Sequence, residues 1–348
     1  MTLYYAILSF FWAFLIALFA IPSIIQVAHK KQLLDTPNRR RLHLSLTPRL
    51  GGLAIFAGFL SAITIFGIMN NAVQKLIAAS IIIFFIGLKD DMVSVSAFKK
   101  FFVQFLAASI ILFLGDIRIV NFQGVLNLWE LDPGTSYFFT FIVILGVTNA
   151  INLTDGLDGL AGSLVITATA VYGFLFLLSG NDGHHSYAII CFSLIGGVMG
   201  FLKYNIHKAI IFMGDTGSLI CGFILAFLSI EVANMHEQDT FGLSIMPSVA
   251  IAGIIIPVSD TIRVFILRIM KGASPFAPDK NHLHHRLTDI GLSQPAVVMT
   301  EVLYTILTII TVILLRNMGN TSLIAGMFII IGILYIVLEW IYNGQNRV

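Results

Sequence analysis

Apolar residues run through this chain in long unbroken blocks, and polar residues fall between the blocks instead of alternating within them. A helix needs about 20 predominantly apolar residues to cross the ~30 Å hydrocarbon core of a bilayer. Eleven runs reach that length or approach it: 3–27, 50–69, 72–88, 101–114, 137–151, 161–178, 187–202, 214–232, 245–266, 297–315 and 322–342. The runs at 101–114 and 137–151 need flanking residues to span. A β-barrel would instead give ~10-residue segments of alternating character. The pattern therefore predicts an all-α integral membrane protein with about 11 transmembrane helices, built as a single polytopic domain over residues 1–348. No soluble domain, low-complexity tract or internal repeat interrupts it. The first run has no basic segment ahead of it and is too long for the apolar part of a signal peptide, so it reads as a retained span.

Composition agrees and excludes the other classes. Of 348 residues 57% are hydrophobic and only 11% charged, Phe occurs 29 times, and mean hydropathy is +0.93. An ordinary globular domain carries about 25% charged residues. A soluble fold could not cover this much apolar surface, and a disordered chain would not contain it. The two cysteines, Cys191 and Cys221, lie inside apolar runs and read as packing residues, not a disulfide.

The net charge of +2 matters less than its distribution. Seventeen of the 20 Lys and Arg fall in one set of alternate loops, and Lys75, Arg118 and Arg316 fall in the other. The positive-inside rule then places the N-terminus outside and the C-terminus in the cytoplasm.

Unusual polar residues collect on the same side. Gly87-Leu88-Lys89-Asp90-Asp91 closes the third run. Adjacent carboxylates repel by roughly 3 kcal/mol at ~5 Å and an effective dielectric of ~20. A divalent cation or nearby Lys and Arg would offset this; the plainer reading is a solvated pair beside Lys89. Asn149-Ala-Ile-Asn152-Leu-Thr-Asp155-Gly-Leu-Asp158-Gly159 breaks an apolar run with two amides, two carboxylates and no cation. Asp155 and Asp158 share a face if the segment is helical, and Gly156 and Gly159 allow close approach of backbone to a ligand. Carboxylates at this depth mark functional sites, against the alternative of a polar loop with turn glycines. Phe212-Met-Gly214-Asp215-Thr216-Gly217-Ser218 opens the eighth run. It suits a helix N-terminus that receives an anion. Asp215 would repel a phosphate there unless it held Mg²⁺, which takes one or two carboxylates plus substrate phosphates; a plain helix cap is the alternative. Pro278-Asp-Lys280-Asn-His282-Leu-His284-His285-Arg286 fits no standard zinc spacing, and its cations favour an anion site or contact with lipid headgroups. Weaker features are Thr47-Pro48-Arg49-Leu50-Gly51-Gly52 after the basic run Arg39-Arg40-Arg41, an Asp260–Arg263 pair three residues apart, and Lys100 with Gln104 on one helix face. Five carboxylates and many cations on one side describe Mg²⁺-dependent phosphate chemistry.

The strings NAINLTDGLDGLAGS and FMGDTGS, with His282-Leu283-His284-His285-Arg286, resemble the polyprenyl-phosphate N-acetylhexosamine-1-phosphate transferase family over about residues 35–286. Its branches start O-antigen (lipopolysaccharide), enterobacterial common antigen and wall teichoic acid synthesis, and include the peptidoglycan phospho-MurNAc-pentapeptide translocase. Arg286 and the short histidine run resemble the initiating branch. The translocase carries a longer run followed by an acidic residue, and ten spans.

The resemblance implies that a phosphate oxygen of undecaprenyl phosphate attacks the β-phosphorus of a UDP-N-acetylhexosamine and that UMP leaves. It implies Mg²⁺, with Mn²⁺ as a substitute, held by Asp215 with Asp91. Asp90 and Asp91 stand at the reacting centre. Phe212 stacks on uracil among Asn149, Asn152, Asp155 and Asp158. His282, His284, His285 and Arg286 hold the sugar phosphate region, and Lys100, Thr47 and Arg49 meet the lipid phosphate. UDP-N-acetylglucosamine is the expected donor, with UDP-N-acetylgalactosamine, a modified acetamido sugar or UDP-MurNAc-pentapeptide as alternatives. The expected setting is the bacterial inner membrane with the site facing the cytoplasm. Lipid and a second copy of the chain are expected partners, and nucleic acid is not.

Physics bears on the aspartate pair. A phosphate monoester has its second pKa near ~6 and is mostly ionised at pH 7, so a general base gains little. Metal organisation and acceptor positioning are favoured, and a phospho-aspartate route stays open. A secondary transporter would place its polar groups near the midplane between paired repeats. A channel or scaffold would need neither the inward carboxylates nor the histidines.

Overall fold

Helices are the only way for a spanning segment to satisfy its own backbone in lipid, and helices are what the apolar runs form. The computed structural model describes residues 1–33, 47–206, 208–236, 242–274 and 281–345. Thirteen α-helices follow one another among them: α1 Thr2–Lys31, α2 Gly51–Phe66, α3 Asn71–Met92, α4 Ala97–Ser109, α5 Pro133–Thr154, α6 Leu160–Leu178, α7 His185–Asn205, α8 Gly214–Ala233, α9 Met246–Gly253, α10 Ile255–Met270, α11 Leu283–Asp289, α12 Gln294–Leu314 and α13 Gly319–Gln345. No sheet forms among the described residues; Asn121 and Glu130 make an isolated bridge.

Each of the eleven expected runs lies on a helix, but the count of spans differs. Nine described helices are long and apolar enough to cross a membrane, ten if α9 and α10 are one broken span. The run at 50–69 yields only the 16 residues of α2, because the backbone turns extended at Gly67 and the Asn70 side chain caps the next helix at Val73 N–H, 2.9 Å. The run at 245–266 was expected to be one span. It bends by 70° at Ile254 instead. Tyr172 of α6 fills the break, donating its hydroxyl to the Ala250 carbonyl at 2.5 Å.

A helix apolar on every face belongs inside a bundle, and α8 is buried along nearly its whole length, surrounded by α2, α3, α5, α6 and α9. Lipid gives helices no hydrophobic reason to associate, so small residues that let backbones approach become decisive. At Gly52 of α2 a Cβ would stand 2.2 Å from the Gly217 nitrogen of α8, and at Gly87 of α3 it would stand 2.5 Å from Thr216 Cα. These contacts bring the ends of α2, α3 and α8 together. The opposite end of the bundle is tied by the segment 115–132: Asn234 accepts from Val120 N–H and donates to the Arg118 carbonyl, and Gln123 donates to the Ala233 and Met235 carbonyls.

Gly52→Ala should lower the thermal midpoint in a fixed detergent or nanodisc, by an overpacking cost of roughly 1–3 kcal/mol. An unchanged midpoint would show that α2 and α8 can separate freely.

Candidate active site

The first N–H groups of a helix have no intrahelical acceptor and carry partial positive charge. At α8 both are met by a carboxylate from another helix. Asp91, near the end of α3, accepts from Asp215 N–H at 2.7 Å on one oxygen, and from Thr216 N–H at 2.9 Å and the Thr216 hydroxyl at 2.5 Å on the other. The anion that sequence reading expected at this N-terminus is therefore internal. Backbone bonds add a second fastening: Phe212 N–H donates to the Pro48 carbonyl at 2.8 Å, Gly51 N–H to the Phe212 carbonyl at 3.0 Å, and Gly52 N–H to the Met213 carbonyl at 2.9 Å. The Thr47–Gly52 segment thus sets Phe212 against the start of α8, with Thr47 buried and Arg49 half-buried.

Asp215, thus fixed, meets Asp90 through a shared cation. The Lys100 ammonium lies 2.7 Å from Asp215 Oδ2 and 3.2 Å from Asp90 Oδ2. Asp90 Oδ1 accepts from Val95 N–H at 2.6 Å. One turn along α4, Gln104 and Asn149 exchange amide bonds of 3.3 and 2.6 Å, and Asn149 also donates to the Leu145 carbonyl at 2.7 Å. The Asn149 side chain, expected at the nucleotide, here joins α5 to α4 and sets the height of Lys100. Asn152 donates to the Ser218 hydroxyl at 2.8 Å and joins α5 to α8.

Asp155 and Asp158 follow the end of α5 in a turn, so they do not share a helical face. Asp158 Oδ2 accepts from Ala209 N–H at 3.0 Å. Asn205, which sequence reading passed over, accepts from Gly159 N–H at 2.7 Å and donates to the Ile211 carbonyl at 2.9 Å. Its position as a lone amide closing an apolar run was the available signal. Burial, reinforced by the charges of Asp215, Asp91 and Asp158 and opposed by Arg49, pushes the Asp155 carboxyl up to about 7.

The histidine segment enters through Gly156, where a Cβ would stand 2.4 Å from His284 Nε2. Burial, aided by the neighbouring His285, lowers His284 to about 3. His284 is therefore neutral at pH 7 and offers hydrogen bonding, not charge. His282 stacks on His284 with ring centres 5.7 Å apart, and its Nδ1 lies 2.8 Å from Asp260 Oδ2. Arg286 pairs with Glu339 at 3.4 Å, lies over the Tyr342 ring with its guanidinium carbon 4.1 Å from the ring centre, and donates to the Asn281 side-chain oxygen at 2.9 Å. Helix α13, which looked generic in sequence, holds it. Arg39, Arg40, Arg41, Pro278, Asp279 and Lys280 lie outside the described residues.

Helix ends, carboxylates and cations thus converge at one end of the bundle. The profile of glycosyl transferase family 4 matches residues 73–233, from α3 through α8. The decaprenyl-phosphate N-acetylglucosaminephosphotransferase of Mycobacterium leprae (strain TN) is 34% identical over 310 residues, 82% of this chain and 78% of that one. The probable undecaprenyl-phosphate N-acetylglucosaminyl 1-phosphate transferase of Bacillus subtilis (strain 168) is 33% identical over 335 residues, 96% of this chain and 91% of that one. The undecaprenyl-phosphate alpha-N-acetylglucosaminyl 1-phosphate transferase of Escherichia coli (strain K12) is 30% identical over 276 residues, 77% and 72% of the two chains. The chain belongs to the polyprenyl-phosphate N-acetylhexosamine-1-phosphate transferase family. The matched profile contains the Asp91 cap, the Asp90–Lys100–Asp215 bridge and the turn with Asp155; the histidine segment lies beyond it.

A divalent cation can be tested against this geometry. No group of three or more His, Cys, Asp or Glu is poised around a common point among the described residues. Mg²⁺ needs fewer, since it takes one or two carboxylates and completes its shell with water and substrate phosphates. Asp90 and Asp215 supply two hard oxygens that already share one cation, so the donor set fits.

The Asp155 shift has a consequence for stability. Between the ordinary carboxylate value of 3.8 and about 7 the folded chain keeps a proton on Asp155 that the unfolded chain has released. That contribution to stability is complete at lower pH and is lost as pH rises through the window. Asp155→Asn should flatten the fall in thermal midpoint of the metal-free protein between about pH 4 and about pH 7. An equally steep fall in the variant would remove Asp155 as its source.

Proposed function

We propose that this chain transfers N-acetylglucosamine 1-phosphate from UDP-N-acetylglucosamine to undecaprenyl phosphate, releasing UMP, at the cytoplasmic face of a bacterial inner membrane. The observation that carries this reading is the Lys100 bridge between Asp90 and Asp215 at the end of a membrane bundle, in a chain whose relatives are named as N-acetylglucosamine phosphotransferases of decaprenyl or undecaprenyl phosphate. The 17 Lys and Arg on the same side support the cytoplasmic placement. The product would be the first lipid-linked intermediate of a cell-envelope glycan, of the O-antigen or teichoic acid kind.

In this reading a phosphate oxygen of the lipid attacks the β-phosphorus, the bond from that phosphorus to the bridging oxygen breaks, and UMP departs with the electron pair. Three phosphate groups must meet, so positioning and charge neutralisation dominate. Mg²⁺, held by Asp215 and Asp90, would neutralise the diphosphate and the leaving UMP. Asp91 supports the reaction through α8, which it caps, and so keeps Asp215 aimed at the site. Lys100 balances the two carboxylates here, and with a divalent cation held by them it would be free to meet the acceptor phosphate. Phe212, set by its backbone bonds to Pro48 and Gly51, offers a face for uracil. The acceptor arrives already ionised, so Asp90 serves better as a ligand than as a base.

UMP release from a panel of UDP-sugars, with and without undecaprenyl phosphate, tests the reaction and the donor. Lipid-dependent release from UDP-N-acetylglucosamine is expected; preference for UDP-N-acetylgalactosamine would move the donor assignment, and release without lipid would end the reading. Asp215→Asn should cost at least about a hundredfold in kcat, the scale seen when one charge-stabilising group is lost. Retained activity with an unchanged Mg²⁺ optimum would end its metal role. Lys100→Met should raise the affinity of the substrate-free protein for Mn²⁺, read by electron paramagnetic resonance, while lowering kcat. Weaker Mn²⁺ binding in that variant would contradict the exchange of ammonium for metal.

A further inference from the structure

We infer that Asp260 is a positioning residue for His282, holding the proton on its Nδ1 and leaving Nε2 as the ring nitrogen for the nucleotide-sugar. The inference rests on the transferase reading above. Both side chains are nearly inaccessible, at 6% and 5% exposed, so water does not compete for their contact. Asp260 Oδ2 lies 2.8 Å from His282 Nδ1. Its Oδ1 accepts from Leu283 N–H at 2.9 Å and from Arg263 Nη2 at 3.1 Å. A carboxylate held against a guanidinium offers only acceptors. The ring nitrogen facing it must therefore carry the hydrogen, whether the imidazole is neutral or charged. Such a contact decides which nitrogen of a histidine is presented outward.

The carboxylate is itself immobilised. Arg263 also donates to the Asn281 carbonyl, and its guanidinium carbon lies 4.6 Å from the Tyr335 ring centre. Ser259 and Tyr335 share a hydrogen bond of 3.1 Å. The Leu283 N–H bond means that the same carboxylate caps α11 as that helix leaves His282. Position and tautomer are thus set by one group. His284, neutral and stacked beside it, is not an alternative source of charge. Glu301 of α12 is buried within electrostatic reach of Asp260, and its Oε1 has no hydrogen-bond partner, so that oxygen does not compete for His282.

In Asp260→Asn the amide oxygen can keep the Leu283 cap while the amide N–H₂ faces Nδ1 and forces the hydrogen to Nε2. The expected loss in kcat/KM for the UDP-sugar is roughly ten- to a hundredfold, the scale for removing the partner that orients a functional histidine. A double-mutant cycle with His282→Gln separates positioning from mere structure. If Asp260 acts through His282, Asp260→Asn should cost less than about threefold in the His282→Gln background. A cost as large there as in the wild type would overturn the inference. A second measurement needs no variant to be active. In ¹⁵N-histidine protein in nanodiscs, with His282 assigned by its loss in His282→Gln, Nδ1 should be protonated. A bare Nδ1 would overturn the inference even if the Asp260 variant failed to fold. Failure of the transferase reading looks different, because the wild type would then release no UMP while the nitrogen signal still reported the tautomer.

Discussion

The site depends on a carboxylate of one helix closing the N-terminus of another. Asp91 leaves α3 and accepts three hydrogen bonds from the first turn of α8. Hydrogen bonds to a charged group contribute about 1.5–3 kcal/mol each where buried, and the favourable end of the helix dipole adds to them. The bond can form only because α3 and α8 approach at Gly87 and Thr216 with no side chain between them. With the cap formed, the Asp215 side chain meets Lys100 at 2.7 Å. Asp90, the next residue back on α3, faces the same ammonium. The placement of the two carboxylates that share Lys100 thus follows from a third that caps α8.

The device occurs twice. Asp260 does for α11 what Asp91 does for α8, accepting a backbone N–H of the first turn, and it also fixes the side chain of His282 just ahead of that helix. A membrane protein has reason to use it. Few charged residues are available, solvent is scarce, and an uncompensated carboxylate at this depth is costly. Capping a helix compensates a carboxylate partly with backbone N–H groups, so that fewer cations are needed. The same economy explains Lys100, which serves two carboxylates at once, and Arg286, whose charge is shared between Glu339 and the Tyr342 ring.

Sequence reading reached the chemistry further than the geometry. Asp90, Asp91, Asn152, Asp155 and Asp215 stood out because carboxylates and amides inside apolar runs have no structural excuse, and the structure brings them to one end of the bundle. Their division of labour was hidden, since adjacent Asp90 and Asp91 look equivalent until α8 takes both oxygens of one. Asn149 was read as a ligand-facing amide, yet its partner Gln104 lies 45 residues away on another helix, a pairing that no local spacing announces. Asn205 and the α13 residues Glu339 and Tyr342 were missed for the same reason, that their partners are distant in the chain.

The break between α9 and α10 shows the limit most clearly. Apolar residues lie on both sides of Ile254, so a continuous span was the natural expectation, and Pro257 was the signal passed over. Pro257 has no N–H for the Gly253 carbonyl and its ring crowds that carbonyl, which interrupts the helix at Ile254, and the Tyr172 hydroxyl of a different helix occupies the break, bonding the Ala250 carbonyl and lying against Gly253. A straight helix would have continued along the bundle. The 70° turn sends α10 off that line, and Asp260 and Arg263 ride on it to meet the histidine segment. Pro257 and Tyr172, neither of them part of a charged motif, therefore help to set where the histidines can stand, because the helix that carries their anchor turns off the line of α9 at the break that the proline makes and the tyrosine fills.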